Sequence, residues 1–378
     1  MKAFTKKIVL ENGREFYGYG FGADREAINE IVFNTSMVGY QEIMSDPSYT
    51  DQMVVMTYPL IGNYGMADED YETKTPTIGG MIVREYNDSP SNFRYTKTLN
   101  EVFEEHDIPA IWGVDTRALT RHLRINGAMR GVISTRDLDV ESLRAKACAL
   151  PSMEGQNLVP FVAARKPYIL TADGPRDVQF DADGAYAWQG TGIPLLVYDF
   201  GVKWNILRLL AEAGFEPLAV PPSFTPDQAR ASGARGVFLS NGPGDPATLK
   251  DEIAIIRELV KEFPVTGICL GHQLIGHALG GTTAKLKFGH HGCNHPVKDL
   301  GTGRIEISSQ NHGFHVVLDG LDDVEATHIN LNDQTLEGLR HKTLPVMSVQ
   351  YHPEAAAGPH DGRYLFERFH EMMKAALA

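Results

Sequence analysis

Hydrophobic positions in the first half of the chain occur in short runs between turn residues. These runs predict strands at 6–22 (a hairpin turning at Asn12-Gly13), 27–34, 52–58 and 108–112. Apolar residues spaced three and four apart predict helices at 96–106, 116–126 and 138–150. We therefore expect an N-terminal domain of mixed β/α structure, and we assign it residues 1–150.

The pattern changes at Ile193, where apolar runs and helical stretches begin to alternate. Buried strands are predicted at 194–200, 216–220, 236–240, 265–269 and 346–351. Helices are predicted at 203–213, 226–231 and 247–263. This alternation predicts an α/β domain, 193–378, with a doubly wound, mostly parallel sheet of the flavodoxin-like kind. Ligands of such sheets bind beyond the carboxyl ends of the strands.

In two stretches of the chain the apolar residues follow neither the helical nor the strand spacing. Residues 151–192 carry recurring prolines among Gly, Asp and Ala, so we assign them to a linker. Residues 34–49 are rich in hydroxyl groups and turn formers, which predicts a loop between two strands. That loop is either an ordinary surface connection or a functional segment on a rigid scaffold.

Composition narrows the class of protein. The 378 residues are 43% hydrophobic and 22% charged, as in globular proteins with a full core. A net charge of −13 disfavours a nucleic-acid-binding surface. Three cysteines form no disulfide framework, which favours a reducing, cytoplasmic location. The N-terminal apolar run stops at Glu11, too short for a signal peptide, and no apolar run predicts a membrane span.

The strongest chemical signal is the sequence Gly267-Ile268-Cys269-Leu270-Gly271. It follows a predicted strand and precedes a helical stretch, and small flanking residues allow a sharp turn that exposes a nucleophile. The positive end of a helix dipole at this position favours a thiolate. A buried structural cysteine is the alternative for an isolated Cys, but the two glycines favour an activated thiol.

A base and an oxyanion site complete the pattern. His352 follows a predicted strand, and Glu354 lies two residues on, where an extended chain would aim both side chains the same way. Cys269, His352 and Glu354 would then act as nucleophile, base and orienting carboxylate. Gly242 and Gly244 end another strand and could present N–H groups to an oxyanion, although an ordinary Pro-Gly turn is equally compatible. We expect no metal, because no close His/Cys ligand pair brackets this segment.

These residues resemble those of class I (triad) glutamine amidotransferases. Segments outside them are similar to the small, glutamine-hydrolysing subunits of carbamoyl-phosphate synthase, and the similarity covers nearly the whole chain except about 150–190. Those segments are Asn34-Thr35-Ser36, Gly39-Tyr40-Gln41-Glu42, Asp46-Pro47-Ser48-Tyr49, Asn241–Pro246, Phe288–Gly292 and Gln310–Phe314. The first half distinguishes this family from amidotransferases of other pathways, which lack such a domain.

The resemblance implies a reaction. Cys269 attacks the side-chain amide of L-glutamine, His352 and Glu354 move the proton, and a glutamyl thioester is hydrolysed to glutamate. By the family pattern, the residues that bind glutamine or its oxyanion are Ser48, Gly242, Gly244, Leu270, Gln273, Asn311, Gly313 and Phe314.

The resemblance also implies a partner. Ammonia would pass to a large subunit in a heterodimer, or in a higher oligomer of heterodimers. That subunit uses ATP, Mg and K to make carbamoyl phosphate from bicarbonate for arginine and pyrimidine synthesis. This chain needs no cofactor of its own, and it contains no G-x-x-x-x-G-K-[ST] phosphate loop. A cysteine hydrolase with another substrate or acceptor, and a non-catalytic scaffold, remain the alternative functions.

Overall fold

A computed structural model describes residues 4–355 and 357–378, which form two compact units. The first unit contains the described residues up to Gln156 together with Leu286–Gly292. The second contains Asn157–Lys285 and Cys293–Ala378. The fold is α/β. In the part of the chain that the structure describes, no helix is long and apolar enough to cross a membrane.

The first unit is a closed β-barrel with helices. Its strands are β1 Lys6–Leu10, β2 Glu15–Gly22, β3 Ala27–Asn34, β4 Gln52–Met56, β5 Leu60–Ile61, β6 Gly80–Ile82, β7 Glu85–Tyr86, β8 Pro109–Trp112 and β9 Met129–Ser134. Its helices are α1 Tyr40–Ser45, α2 Leu99–Glu105, α3 Thr116–Asn126 and α4 Val140–Ala149. The barrel order is β1-β2-β8-β6-β4-β3-β9, and β5 pairs with β7 outside it.

Alternate residues of the barrel strands pack into different clusters. Ile31 and Val55 lie in one apolar cluster, whereas Val32 and Val54 lie in another. Because both faces of these strands are covered, neighbouring positions such as Ile31-Val32 and Val54-Val55 are both apolar rather than alternating with polar ones. This explains why the sequence shows short apolar runs in this half without revealing that β3, β4, β6 and β8 pair in parallel.

The second unit is built on an 11-stranded sheet. The strands of this sheet are β10 Tyr168–Thr171, β11 Gly174–Asp177, β12 Ile193–Tyr198, β13 Phe215–Val220, β14 Gly236–Leu239, β15 Val265–Ile268, β16 Thr282–Asp299 (of which Leu286–Gly292 is assigned to the first unit), β17 Ile305–Val317, β18 Val324–Asn330, β19 Leu336–His341 and β20 Val346–Val349. Its helices are α5 Trp204–Glu212, α6 Pro226–Ala231, α7 Lys250–Glu262, α8 Leu270–Ala278 and α9 Tyr364–Ala376.

The sheet order is β11-β10-β13-β12-β14-β15-β20-β19-β18-β16-β17. The central strands β13, β12, β14, β15 and β20 are parallel, as predicted for a doubly wound sheet. Apolar clusters cover both faces: α6, α7 and α8 contribute to one, and α5 and α9 to the other. Antiparallel strands extend the parallel core on both sides.

Several predictions need correction in detail. Residues 34–49, predicted as a loop, contain the short helix α1, which the polar composition concealed. The strand predicted at 346–351 ends at Val349. The domain limits 1–150, 151–192 and 193–378 stay a prediction, and within 151–192 the strands β10 and β11 join the sheet of the second unit.

Candidate active site

Cys269 lies at the turn between β15 and α8 in a strained conformation. Its φ of 55° and ψ of −106° are rarely adopted by a residue with a side chain and cost on the order of 1–3 kcal/mol. The turn is fixed by the Cys269 N–H, which donates to the Val349 carbonyl at 3.0 Å, and by the Gly271 N–H, which donates to the Ser240 carbonyl at 3.0 Å. The predicted nucleophile turn is therefore present.

The flanking glycines are required by close packing. A Cβ on Gly271 would lie 2.1 Å from the Leu239 carbonyl oxygen, and a Cβ on Gly267 would lie 3.0 Å from the carbonyl carbon of Gly271. Neither backbone could move without displacing β14 or α8. The G-x-C-x-G pattern thus places the start of α8 directly against the end of the neighbouring strand.

The loop with Gly242 and Gly244 lies beside this turn. A Cβ on Gly242 would come within 2.7 Å of the Leu270 side chain and 2.5 Å of the Phe200 carbonyl oxygen, and Gly244 has a φ of 90°. Only glycine fits either position without strain. The structure therefore brings this loop next to Leu270, while the role of its N–H groups in binding an oxyanion stays a prediction.

His352 and Glu354 form the predicted pair. The His352 Nδ1 lies 2.7 Å from the Glu354 Oε1, and both side chains are buried. Because a carboxylate only accepts, Nδ1 carries a proton and donates it. The two residues meet through a turn at Pro353 and Glu354 rather than through an extended strand. The His352 N–H also donates to the Ser309 carbonyl at 2.9 Å, which fixes the segment to β17.

Lys203 completes the group and was not found from the sequence. Its Nζ lies 2.8 Å from the Glu354 Oε1, and its side chain is 7% exposed. We call Lys203, Cys269, His352 and Glu354 the thiol cluster. A signal for Lys203 existed: a lysine at the N-terminus of a predicted helix opposes the helix dipole, which is an unfavourable local arrangement. The Asn241 side chain accepts from the Lys203 N–H at 3.1 Å and anchors this end of α5.

The charges of the thiol cluster depend on one another. Burial would raise the pKa of Glu354, but Lys203 and His352 outweigh it and lower this pKa to about 2. Burial and Lys203 would lower the pKa of His352, but Glu354 and Cys269 raise it to about 10. The ring is thus stabilised as an imidazolium beside the sulfur. Because Nδ1 is bonded to Glu354, the buried Nε2 is the ring nitrogen that interacts with Cys269.

A second histidine near the thiol is excluded as the base by its environment. His272 follows Gly271 in α8, is fully buried, and lies with its Nδ1 2.9 Å from the Ser348 Oγ. Burial lowers its pKa to about 3, so it stays neutral. The difference between His272 and His352 arises from the carboxylate that only His352 contacts.

The predicted glutamine-binding residues of the second unit lie around the thiol. Gln273 follows Cys269 by one helical turn, and its N–H donates to the Cys269 carbonyl at 3.0 Å. The Cys269 thiol donates to the Asn311 carbonyl at 3.6 Å, and the Gln273 Nε2 donates to the Phe314 carbonyl at 2.9 Å. A Cβ on Gly313 would meet no atom within 4 Å, so there is open space beside this residue of β17.

Ser48 is the predicted residue that lies in the first unit. It is half-buried in a short 3-10 helix, Pro47–Tyr49, and its N–H donates to the Asp46 carboxylate at 2.9 Å. The structure therefore shows how Ser48 is held locally, and its contact with glutamine stays a prediction. The roles assigned to Asn311, Gly313, Phe314 and Gln273 are predictions of the same kind.

Residues 196–372 match the family "Glutamine amidotransferase class-I", which is the class that the doubly wound sheet and the thiol cluster define. Residues 8–133 match "Carbamoyl-phosphate synthase small chain, CPSase domain". The carbamoyl phosphate synthase small chain of Desulfovibrio desulfuricans is 67% identical over 97% of both chains. Those of two Nitratidesulfovibrio vulgaris strains are 59% identical over 100% and 98% of both chains. The chain belongs to the carbamoyl-phosphate synthase small-chain family.

Proposed function

We propose that this chain hydrolyses L-glutamine to glutamate and ammonia by covalent catalysis at Cys269. The observation that carries the proposal is the strained, buried thiol at a helix N-terminus beside an imidazolium that Glu354 holds at 2.7 Å. Membership of a small-chain family with a class I amidotransferase region supports glutamine as the substrate.

The first half-reaction forms a thioester. The Cys269 thiolate attacks the side-chain amide carbon, and the carbonyl π electrons move to oxygen. We expect the N–H groups of Leu270 and of the Gly242–Gly244 loop to bind that oxyanion. His352 Nε2, which carries the former thiol proton, donates it to the leaving nitrogen as the C–N bond breaks. Ammonia leaves, and the acyl group stays on sulfur.

The second half-reaction reverses these roles. Neutral His352 accepts a proton from water, the resulting hydroxide attacks the thioester carbon, and the C–S bond breaks to give the thiolate and a carboxylic acid, which releases its proton to solvent as glutamate. Glu354 keeps the Nδ1 proton on the ring throughout, so that Nε2 is the atom that exchanges protons. Lys203 keeps Glu354 ionised in a fully buried position, where an unpaired carboxylate would take up a proton.

The ammonia acceptor is proposed to be a large subunit of carbamoyl-phosphate synthase, bound as a heterodimer or a higher oligomer of heterodimers. The names of the relatives support a complementary large chain. That subunit would use ATP, Mg and K to combine ammonia with bicarbonate. All three cysteines are free, which supports a reducing, cytoplasmic compartment.

The test is the substitution Cys269→Ser in the full chain bound to the large subunit. Glutamine-dependent carbamoyl phosphate formation should fall by about 10⁴-fold or more, because the alcohol is a far weaker nucleophile. Synthesis from added ammonia should persist. The matched control is Cys293→Ser, which alters a half-buried thiol of the same unit. Glutamine-dependent synthesis by Cys269→Ser at the wild-type rate would refute the proposal.

A further inference from the structure

Two buried amide side chains meet beside the thiol. The Gln273 Nε2 donates to the Phe314 carbonyl at 2.9 Å and to the Gln350 Oε1 at 3.1 Å. Gln273 is 4% exposed and Gln350 is fully buried. Gln350 follows β20, and its own N–H donates to the Glu337 carbonyl at 2.9 Å. Gln350 thus contacts a predicted glutamine-binding residue from the neighbouring element.

These contacts determine the orientation of both amides. The Phe314 carbonyl only accepts, so it requires the nitrogen of Gln273 on its side. The second N–H of that nitrogen then requires an acceptor, which is the oxygen of Gln350. A rotated Gln273 amide would place oxygen against oxygen at the Phe314 carbonyl. Both N–H groups of Gln273 are therefore used, and its Oε1 remains to accept a bond from a ligand.

We propose that Gln350 is a positioning residue for substrate recognition, which acts by holding Gln273 with its oxygen toward the ligand. The inference rests on the proposed function, since it takes the ligand to be glutamine. An amide oxygen favours a donor, and the α-ammonium of glutamine is a donor outside the reacting amide. Gln350 thereby contributes to the preference for an amino acid over an amide that lacks the amino group.

The unsatisfied atom of Gln350 argues against a purely structural role. Its Nε2 is buried and has no hydrogen-bond partner in the described part of the chain. An unsatisfied buried donor destabilises the fold, whereas an apolar side chain of similar length would not. Gln350→Met removes this unsatisfied donor but also the acceptor of a Gln273 N–H, so the two effects offset and the melting temperature should change little. This separates an effect on recognition from an effect on folding.

The experiment compares hydrolysis of L-glutamine with that of glutaramate, which lacks the α-amino group. Gln350→Met should raise KM for glutamine about tenfold, the equivalent of one lost hydrogen bond, and change kcat by less than about threefold. The ratio of kcat/KM for glutamine to that for glutaramate should fall by a similar factor. The matched control is Ser348→Ala. Ser348 lies in β20, and its substitution removes a buried hydrogen bond to His272 rather than one to Gln273. It should keep the wild-type ratio.

A double substitution shows whether Gln350 acts through Gln273. In a Gln273→Ala background, Gln350→Met should have no further effect on the ratio. Additive effects of the two substitutions, or an unchanged ratio of kcat/KM for glutamine to that for glutaramate in Gln350→Met, would overturn the inference about Gln350. The proposed function would still stand in that case if the wild-type complex hydrolysed glutamine. Absence of glutamine hydrolysis by the wild-type complex would overturn both.

Discussion

Two buried polar groups, one in each unit, differ in charge and in strain. In the first unit, Tyr40, Gln41 and Tyr64 form what we call the tyrosine cluster, in which the two rings stack with centroids 4.0 Å apart. In the second unit, the thiol cluster carries a buried lysine, carboxylate and imidazolium. The comparison separates polar groups that hold a fold from polar groups that perform chemistry.

The tyrosine cluster is neutral and is hydrogen-bonded to the backbone around it. The Tyr64 hydroxyl accepts from the N–H groups of Gly39 and Tyr40 at 2.8 and 3.0 Å. The Tyr40 hydroxyl donates to the Gly65 carbonyl at 2.7 Å, and Gln41 makes two bonds to the Ala67 backbone. Burial raises the pKa of both tyrosines, so neither ionises near neutrality. Such a cluster rigidifies the segment that carries α1.

The thiol cluster differs from the tyrosine cluster in its charge and in its backbone strain. Its charges are buried, and the φ of Cys269 is strained. Each feature costs stability, and each serves the proposed reaction. The difference indicates that buried charges beside a strained thiol, rather than burial or polarity alone, distinguish the thiol cluster from the tyrosine cluster.

His352→Gln should have the largest effect of the substitutions that test this comparison. Loss of the base should lower kcat for glutamine hydrolysis by about 10²–10⁴-fold, because neither the thiol nor the leaving nitrogen then has a proton carrier. Steady-state kinetics would show this. His328→Gln, which replaces another fully buried histidine of the same sheet, should keep kcat near wild type. Equal losses in both variants would mean that His352 has no special role.

Lys203→Met should affect both stability and rate. The Glu354 carboxylate would lose a buried partner, so we expect destabilisation of about 3–5 kcal/mol and a rate lower by about tenfold. Thermal unfolding and kinetics measure the two effects. The control Lys146→Met removes the ion pairs of a 36% exposed lysine with Glu26 and Asp137 in the first unit, and it should lower the melting temperature far less than Lys203→Met. Retention of full stability by Lys203→Met would contradict the account.

Tyr64→Phe should affect stability alone. It leaves two buried N–H groups without their acceptor, which should cost about 1–3 kcal/mol. Hydrolysis per folded molecule should stay within about threefold of wild type. Tyr17→Phe, at an exposed tyrosine that donates to Glu15, should leave the melting temperature nearly unchanged. A large loss of kcat in Tyr64→Phe would remove the distinction between the clusters.

A further test is a pair of opposite pH trends in stability. The pKa of His352 rises from about 6.5 to about 10 on folding, so the stability it contributes is full below about pH 6.5 and lost as pH rises toward 10. Burial lowers the pKa of His328 to about 4, so its contribution instead grows between about pH 4 and 6.5. Unfolding of wild type, His352→Gln and His328→Gln across this range measures both. Trends of the same sign would contradict these charge states.

Local patterns predicted much of the second unit. The alternation of strands and helices gave the parallel core, and G-x-C-x-G gave the strained turn at Cys269, because both depend on neighbouring residues. His352 and Glu354 were predicted as a pair, although the geometry is a turn rather than a strand. Pairing in the barrel was not predicted, because strands covered on both faces carry no sign of their partners.

Residues that act through distant contacts were the ones missed. Lys203 lies 151 positions before Glu354, and Gln350 lies 77 positions after Gln273. Helix α9 was also not predicted, although it packs Leu365 and Phe369 against the sheet. Such contacts depend on the fold. In a single sequence their only trace is a residue that is unfavourable for its local structure, such as a lysine at a helix N-terminus.

The most direct test of the central claim is a search for the acyl intermediate. The full chain, bound to the large subunit and supplied with glutamine, would be quenched in acid during turnover, digested and examined by mass spectrometry. We predict a γ-glutamyl group on the peptide that contains Cys269, and its absence in Cys269→Ser. Turnover of glutamine with no adduct on Cys269, or with the adduct on Cys148 or Cys293 instead, would contradict the account.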